Sequence, residues 1–160
     1  MPSVLFVCTG NIYRSPLTAA FFLKRLQQAG KEPGWRVESA GTWTVSGQSP
    51  PTDLLKLAAR YQIDLKQHIT QLVDRQLLEV FDLILVMERG HKEALTFEFP
   101  SISSRIHLLS EVADHLAYDI PDPALSDLDL EEMAKSLFQL IERGYQDIYE
   151  LALTTRTLGL

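Results

Sequence analysis

The chain has 160 residues, 46% of them apolar and 22% charged, with a net charge of −6. That balance argues against a nucleic-acid-binding protein or one held to anionic membranes, so any anion site must be a local concentration of donors. No apolar stretch approaches membrane-spanning length, the N-terminal apolar run is too short for a signal-peptide core, and the single cysteine cannot close an internal disulfide. The expected location is therefore a reducing cytoplasm.

Val4 to Val7 is a continuous apolar run closed by a glycine-containing loop, the pattern of a strand buried on both faces. Ser15 is expected to cap a helix with Pro16 at its first position, and Ala19, Ala20, Phe22, Leu23 and Leu26 carry helical spacing toward Gly30. Residues 35–39 alternate as a second strand, followed by a loop over 40–47. Thr52 is expected to cap a helix reaching about Gln62, and a short helical stretch covers 71–79. Residues 82–87 are a third strand, 88–97 a helix and 105–109 a fourth strand. The prolines bar regular structure from 118–123, because each disfavours helical geometry in its predecessor. Met133, Leu137, Leu140, Ile141, Ile148 and Leu151 then mark a long helix from Asp129 to about Ala152. Strands alternating with helices imply right-handed crossovers and a parallel sheet. The expected fold is α/β, one domain over residues 1–160, with a four-stranded parallel sheet flanked by helices on both faces.

The chemistry concentrates in Cys8-Thr9-Gly10-Asn11-Ile12-Tyr13-Arg14-Ser15-Pro16. In such a sheet ligands bind beyond the carboxyl ends of the strands, which is where Cys8 falls. The helix that follows aims its unpaired N–H groups and positive dipole end back at the loop. Gly10 is expected to supply the backbone freedom that lets the amides of Thr9 to Arg14 curl into an anion nest. The Arg14 guanidinium would hold a phosphoryl group at two points, and the same field favours a thiolate at Cys8. A bland reading, in which Cys8 is a small buried hydrophobe ending a strand, accounts for neither the arginine nor the Ser-Pro helix start. No cluster of His, Asp and Glu stands at metal-ligand spacing.

These residues, together with Ser39-Ala40-Gly41-Thr42 and Asp122-Pro123, resemble the low-molecular-weight protein tyrosine phosphatase family over essentially the whole chain. The resemblance implies metal-free, cofactor-free hydrolysis of phosphotyrosine or another aryl phosphate monoester through a phosphocysteine. It implies Cys8 as nucleophile, Arg14 as transition-state clamp and Asp122 as general acid. It also implies a supporting network of Asn11, Ser15 and His68. From the residues alone, Asp-Pro is an ordinary turn opener and Asp119 a competing acid. His68 reads equally well as a surface histidine. Trp43, with Tyr13, is either a wall of the substrate pocket or, in the case of Trp43, a ring packed on the sheet edge. His91, His107 and His115 carry no recognisable spacing and read as structural or solvated.

Two departures from the family pattern stand out. Tyr13 occupies a position where members commonly carry a second cysteine, so Cys8 has no internal resolving thiol. Ala124 and Leu125 replace the paired aromatics that often follow Asp-Pro, which favours weaker or broader ring binding. Arsenate reduction coupled to thioredoxin needs further cysteines. An idle phosphate-binding module needs neither thiolate nor acid. The expected partner is a phosphotyrosine protein or a small aryl phosphate; the sequence sets no oligomeric state.

Overall fold

Apolar side chains on both faces of the central strands set the layers of the molecule. The structure, a computed structural model, describes residues 1–159. Strands β1 (Ser3–Cys8), β2 (Arg36–Gly41), β3 (Leu83–Val86) and β4 (Ile106–Leu108) form one all-parallel sheet in the order β2-β1-β3-β4. Val4, Phe6 and Cys8 of β1 and Leu83 and Leu85 of β3 face one side, while Leu5, Val7, Ile84 and Val86 face the other. This alternation follows from the two-residue period of a strand.

The first face is covered by α1 (Arg14–Gln28), the buried side of α2 (Thr52–Arg60), and α5 (Leu109–Asp114) and α6 (Leu130–Leu158). The second is covered by α3 (Arg75–Glu79) and α4 (Arg89–Glu98), with Phe99 and Ile102 of the turn that follows. The expected helix-covered parallel sheet is therefore the observed one. Phe21 joins Tyr61 and Phe138 at centroid separations of 5.0 and 5.4 Å, locking α1 to α6 and to the end of α2. Such pairs add about 0.5–1.5 kcal/mol each beyond their buried area.

Several local expectations are corrected. The first helix begins at Arg14, with Tyr13 as its capping residue, and the Ser15 hydroxyl caps nothing because it is turned toward the Cys8 sulfur and the Asn11 side-chain amide. Pro51, not Thr52, is the cap of α2. Within 71–79 only Arg75–Glu79 is helical: the Asp74 carboxylate accepts from the Leu77 amide, and Leu72 before it bridges to Gly41 at the sheet edge. The last helix runs past Ala152 to Leu158, since Ala152 and Thr155 continue its buried face until Gly159, at φ 65°, ends it. Among the described residues no helix is long and apolar enough to cross a membrane.

Candidate active site

The carboxyl ends of β1, β2 and β3 bring three loops together around Cys8. The loop from Thr9 to Tyr13 turns directly from β1 into α1, and its left-handed residue is Asn11, at φ 56°, not Gly10. A non-glycine residue pays strain there unless its surroundings hold it. Asn11 is fully buried and held at every polar atom of its side chain. Its Nδ2 donates to Ser15 Oγ and Ser39 Oγ at 2.9 Å each, and its Oδ1 accepts from the Gln71 amide at 2.9 Å. Its carbonyl meets His68 Nε2 at 2.9 Å. The structure thus places His68 against the loop.

The sulfur of Cys8, a residue 2% exposed, receives the Asn11 N–H at 3.3 Å and lies 3.0 Å from Ser15 Oγ. Because Asn11 Nδ2 already donates to Ser15 Oγ, the Ser15 proton is free to point at sulfur, the nearer partner, since the Ala40 carbonyl is 3.4 Å away. The β2 loop packs tightly alongside: the Thr42 and Trp43 amides donate to the Cys8 and Thr9 carbonyls at 2.9 and 3.0 Å. Gly41 permits that approach, since a Cβ there would lie 2.6 Å from the Thr9 carbonyl oxygen.

Arg14 is 2% exposed, and its charge is compensated on one side by protein. Its Nη1 donates to Glu88 Oε2 at 2.7 Å and to the Ile120 carbonyl at 2.6 Å, which leaves Nη2 facing Asp122 Oδ2 at 3.5 Å. The loop carrying Asp122 is anchored by the Ile120 amide on the Met87 carbonyl at 2.9 Å, and by two hydrogen bonds between Ser110 Oγ and the Tyr118 backbone. Asp122 Oδ1 accepts from the Ala124 amide in a short turn. Asp119 is engaged elsewhere, accepting from the Arg89 amide at 2.8 Å and Nε at 3.2 Å. Those bonds hold its carboxyl below the usual carboxylate range.

Trp43 is 84% exposed, which rules out packing on the sheet edge. Tyr13 is half-buried and its hydroxyl donates to the Asp53 carboxylate at 3.2 Å, tying the loop to the first turn of α2. Burial, and then the Asp53 charge, push its phenol above the ordinary value of 10.0.

Glu88 and His91 are not among the sequence candidates. His91, read as structural or solvated, is buried at 8% exposure, and its Nε2 lies 2.8 Å from Thr9 Oγ1. The available signal was position: both follow the carboxyl end of β3, where ligands of a parallel sheet gather. His115 instead pairs with Asp147 at the surface, away from these contacts.

A family model for low molecular weight phosphotyrosine protein phosphatases matches residues 3–155. The low molecular weight protein-tyrosine-phosphatase Wzb of Escherichia coli K12 is 33% identical over 142 residues, covering 89% of each chain. Among solved structures, Vibrio vulnificus Wzb in complex with benzylphosphonate is 31% identical, with a TM-score of 0.74 over 92% of this chain and 97% of that one. YfkJ from Bacillus subtilis is 28% identical, with a TM-score of 0.84 over 94% and 96%. A match that spans the loop after Cys8, the loop carrying Asp122 and nearly all of the sheet and helices means that this chain belongs to the low molecular weight phosphotyrosine protein phosphatase family.

Proposed function

We propose that the chain hydrolyses phosphotyrosine, in a protein or as a small aryl phosphate, through a phosphocysteine and without a metal or cofactor. The observation that carries this is the convergence on one loop of a sulfur facing the Asn11 amide and Ser15 hydroxyl and a buried guanidinium whose Nη2 faces the Asp122 carboxyl. The Cys8 thiolate attacks phosphorus; the bond to the aryl oxygen breaks as Asp122 gives that oxygen its proton. Water then attacks phosphorus, the sulfur–phosphorus bond breaks, the Asp122 carboxylate takes the water proton and phosphate leaves. Charge spreads over three equatorial oxygens in each step, so loop amides from Thr9 to Tyr13 and the two-point Arg14 contact supply most of the stabilisation. Trp43 and Tyr13 form the walls around the leaving ring. Asn11, Ser15 and His68 keep the loop in its strained shape. The benzylphosphonate bound by the Vibrio relative, an aromatic phosphonate, is consistent with such a substrate. The absence of rings at Ala124 and Leu125 favours small aryl phosphates over tightly held peptides.

Cytoplasmic residence fits a single cysteine that works as a thiolate. The test is release of p-nitrophenol from p-nitrophenyl phosphate by the purified chain in the presence of a chelator, beside Cys8→Ser. Turnover by the first and none by the second is expected. Equal rates, or turnover lost to the chelator, would remove Cys8 or the metal-free step from the reading.

A further inference from the structure

We propose that His91 is a positioning residue for the phosphoryl group, holding the Thr9 hydroxyl as a donor into the cradle and fixing Glu88 as the partner of Arg14. This rests on the phosphatase reading and deepens it. The ring nitrogens have different partners. The Glu88 amide can only donate, and it reaches Nδ1 at 3.2 Å, so Nδ1 accepts. In the neutral ring the proton is then on Nε2, 2.8 Å from Thr9 Oγ1, and it is donated to that oxygen. The Thr9 hydroxyl accepts from histidine, which frees its own proton for a second acceptor. Thr9 follows the nucleophile directly, and its backbone is fixed by the Trp43 amide on its carbonyl. The charges that act on the ring are Glu88, Arg14, Asp119 and Asp122, and its direct contacts are with Thr9 and Glu88. A phosphoryl oxygen seated between Cys8 and Arg14 is the acceptor that this hydroxyl meets.

The same ring holds the other side of the cradle. Glu88 is gripped at its amide by His91 and at Oε2 by Arg14 Nη1, and His91 Nε2 lies 3.6 Å from that same oxygen. A protonated ring has donors at both nitrogens: Nδ1–H would face the Glu88 N–H, and the cation would compete with Arg14 for the carboxylate. Burial first, and then Arg14, disfavour that cation, opposed by Glu88, Asp119 and Asp122, and the balance keeps the imidazole below its ordinary value of 6.5. The neutral form is therefore the one the fold selects.

The experiment compares Thr9→Val, His91→Leu, His91→Gln and the Thr9→Val/His91→Leu pair with the unaltered chain and Cys8→Ser. It measures inorganic phosphate affinity by calorimetry and kcat and KM on p-nitrophenyl phosphate. Thr9→Val and His91→Leu are each expected to weaken phosphate binding and kcat/KM by about tenfold or more, the scale of one hydrogen bond to a charged group. The double variant should lose less than the product of the single losses, because the two side chains act through one bond. His91→Gln, whose amide donates from near the Nε2 position, should recover part of the loss. Thr9→Val carries the test if His91→Leu does not fold. Phosphate affinity and kcat/KM unchanged in Thr9→Val, or strictly multiplicative losses, overturn the proposal while Cys8→Ser stays inactive and the phosphatase reading stands. An unaltered chain that neither binds phosphate nor releases p-nitrophenol overturns both.

Discussion

Asp119 and Asp122 carry the same carboxyl three positions apart, yet their partners suit them to different work. Asp119 accepts two hydrogen bonds from Arg89, and the first of these, from the backbone amide, is the main cause of its depressed pKa; a carboxyl so held is a poor proton donor. The Asp122 carboxyl accepts from the Ala124 amide at Oδ1 and pairs at Oδ2 with Arg14 Nη2, 3.5 Å away, beside the cysteine loop. Asp122→Asn is therefore expected to slow turnover of an aryl phosphate by about 10²–10⁴ while phosphate affinity stays within a few fold. Asp119→Asn should change turnover far less, and steady-state kinetics on the two variants would reverse the assignment if the effects were exchanged. Cys8 and Arg14 could be read from sequence because one short loop holds both and its flanks announce a strand and a helix. Glu88 and His91 could not, because they enter from β3, and nothing local marks a residue whose partner lies 74 or 82 positions away. At Ser15 only the capping expectation fails, for a related reason: a Ser-Pro pair signals a cap, but the hydroxyl is taken up by Asn11 Nδ2 and the Cys8 sulfur, where the family resemblance puts it.

At the level of elements, the crossing of α5 and α6 links packing to the loop that carries Asp122. A Cβ on Gly144 would lie 2.3 Å from Ala113 Cβ and 2.5 Å from its Cα, so glycine lets the two helices approach closely. Gly144→Ala should destabilise the protein by about 1–3 kcal/mol, as overpacking a tight contact does. Ser110, on the same short helix, anchors Tyr118. The displacement should thus reach the Asp122 loop and, with Asp122 as the proposed general acid, lower kcat more than phosphate affinity. Denaturant unfolding at an unchanged midpoint would contradict this. The sequence marks β1, β3 and α6 well, since each carries a long or continuous apolar pattern. It does not mark α5, whose six residues are too few to establish a helical period, nor the left-handed turn at Asn11, where tertiary hydrogen bonds override the preference for Gly10.

Over the whole molecule, two half-buried or buried histidines couple folding to pH. Burial is the leading cause that lowers both His91 and His107 below 6.5, with Lys92 adding to it at His107. The unfolded chain therefore binds more protons than the native one once pH falls to that value. Stability should be full above about 6.5 and decline as pH drops through it toward the native values, with a further loss at lower pH as Asp114 and Asp119 protonate. Urea midpoints from pH 8 to pH 5 would check the slope; a flat or rising profile on acidification contradicts it. In the proposed reaction the sheet, the buried arginine and the two anchored loops would all serve one event, transfer of a phosphoryl group to sulfur. The most direct measurement is acid quench of the enzyme during p-nitrophenyl phosphate turnover, followed by mass spectrometry of the peptide containing Cys8. A phosphoryl group on Cys8 is the expected result, more abundant at steady state if Asp122→Asn slows its hydrolysis. Sustained turnover with Cys8 never carrying phosphorus would contradict the account.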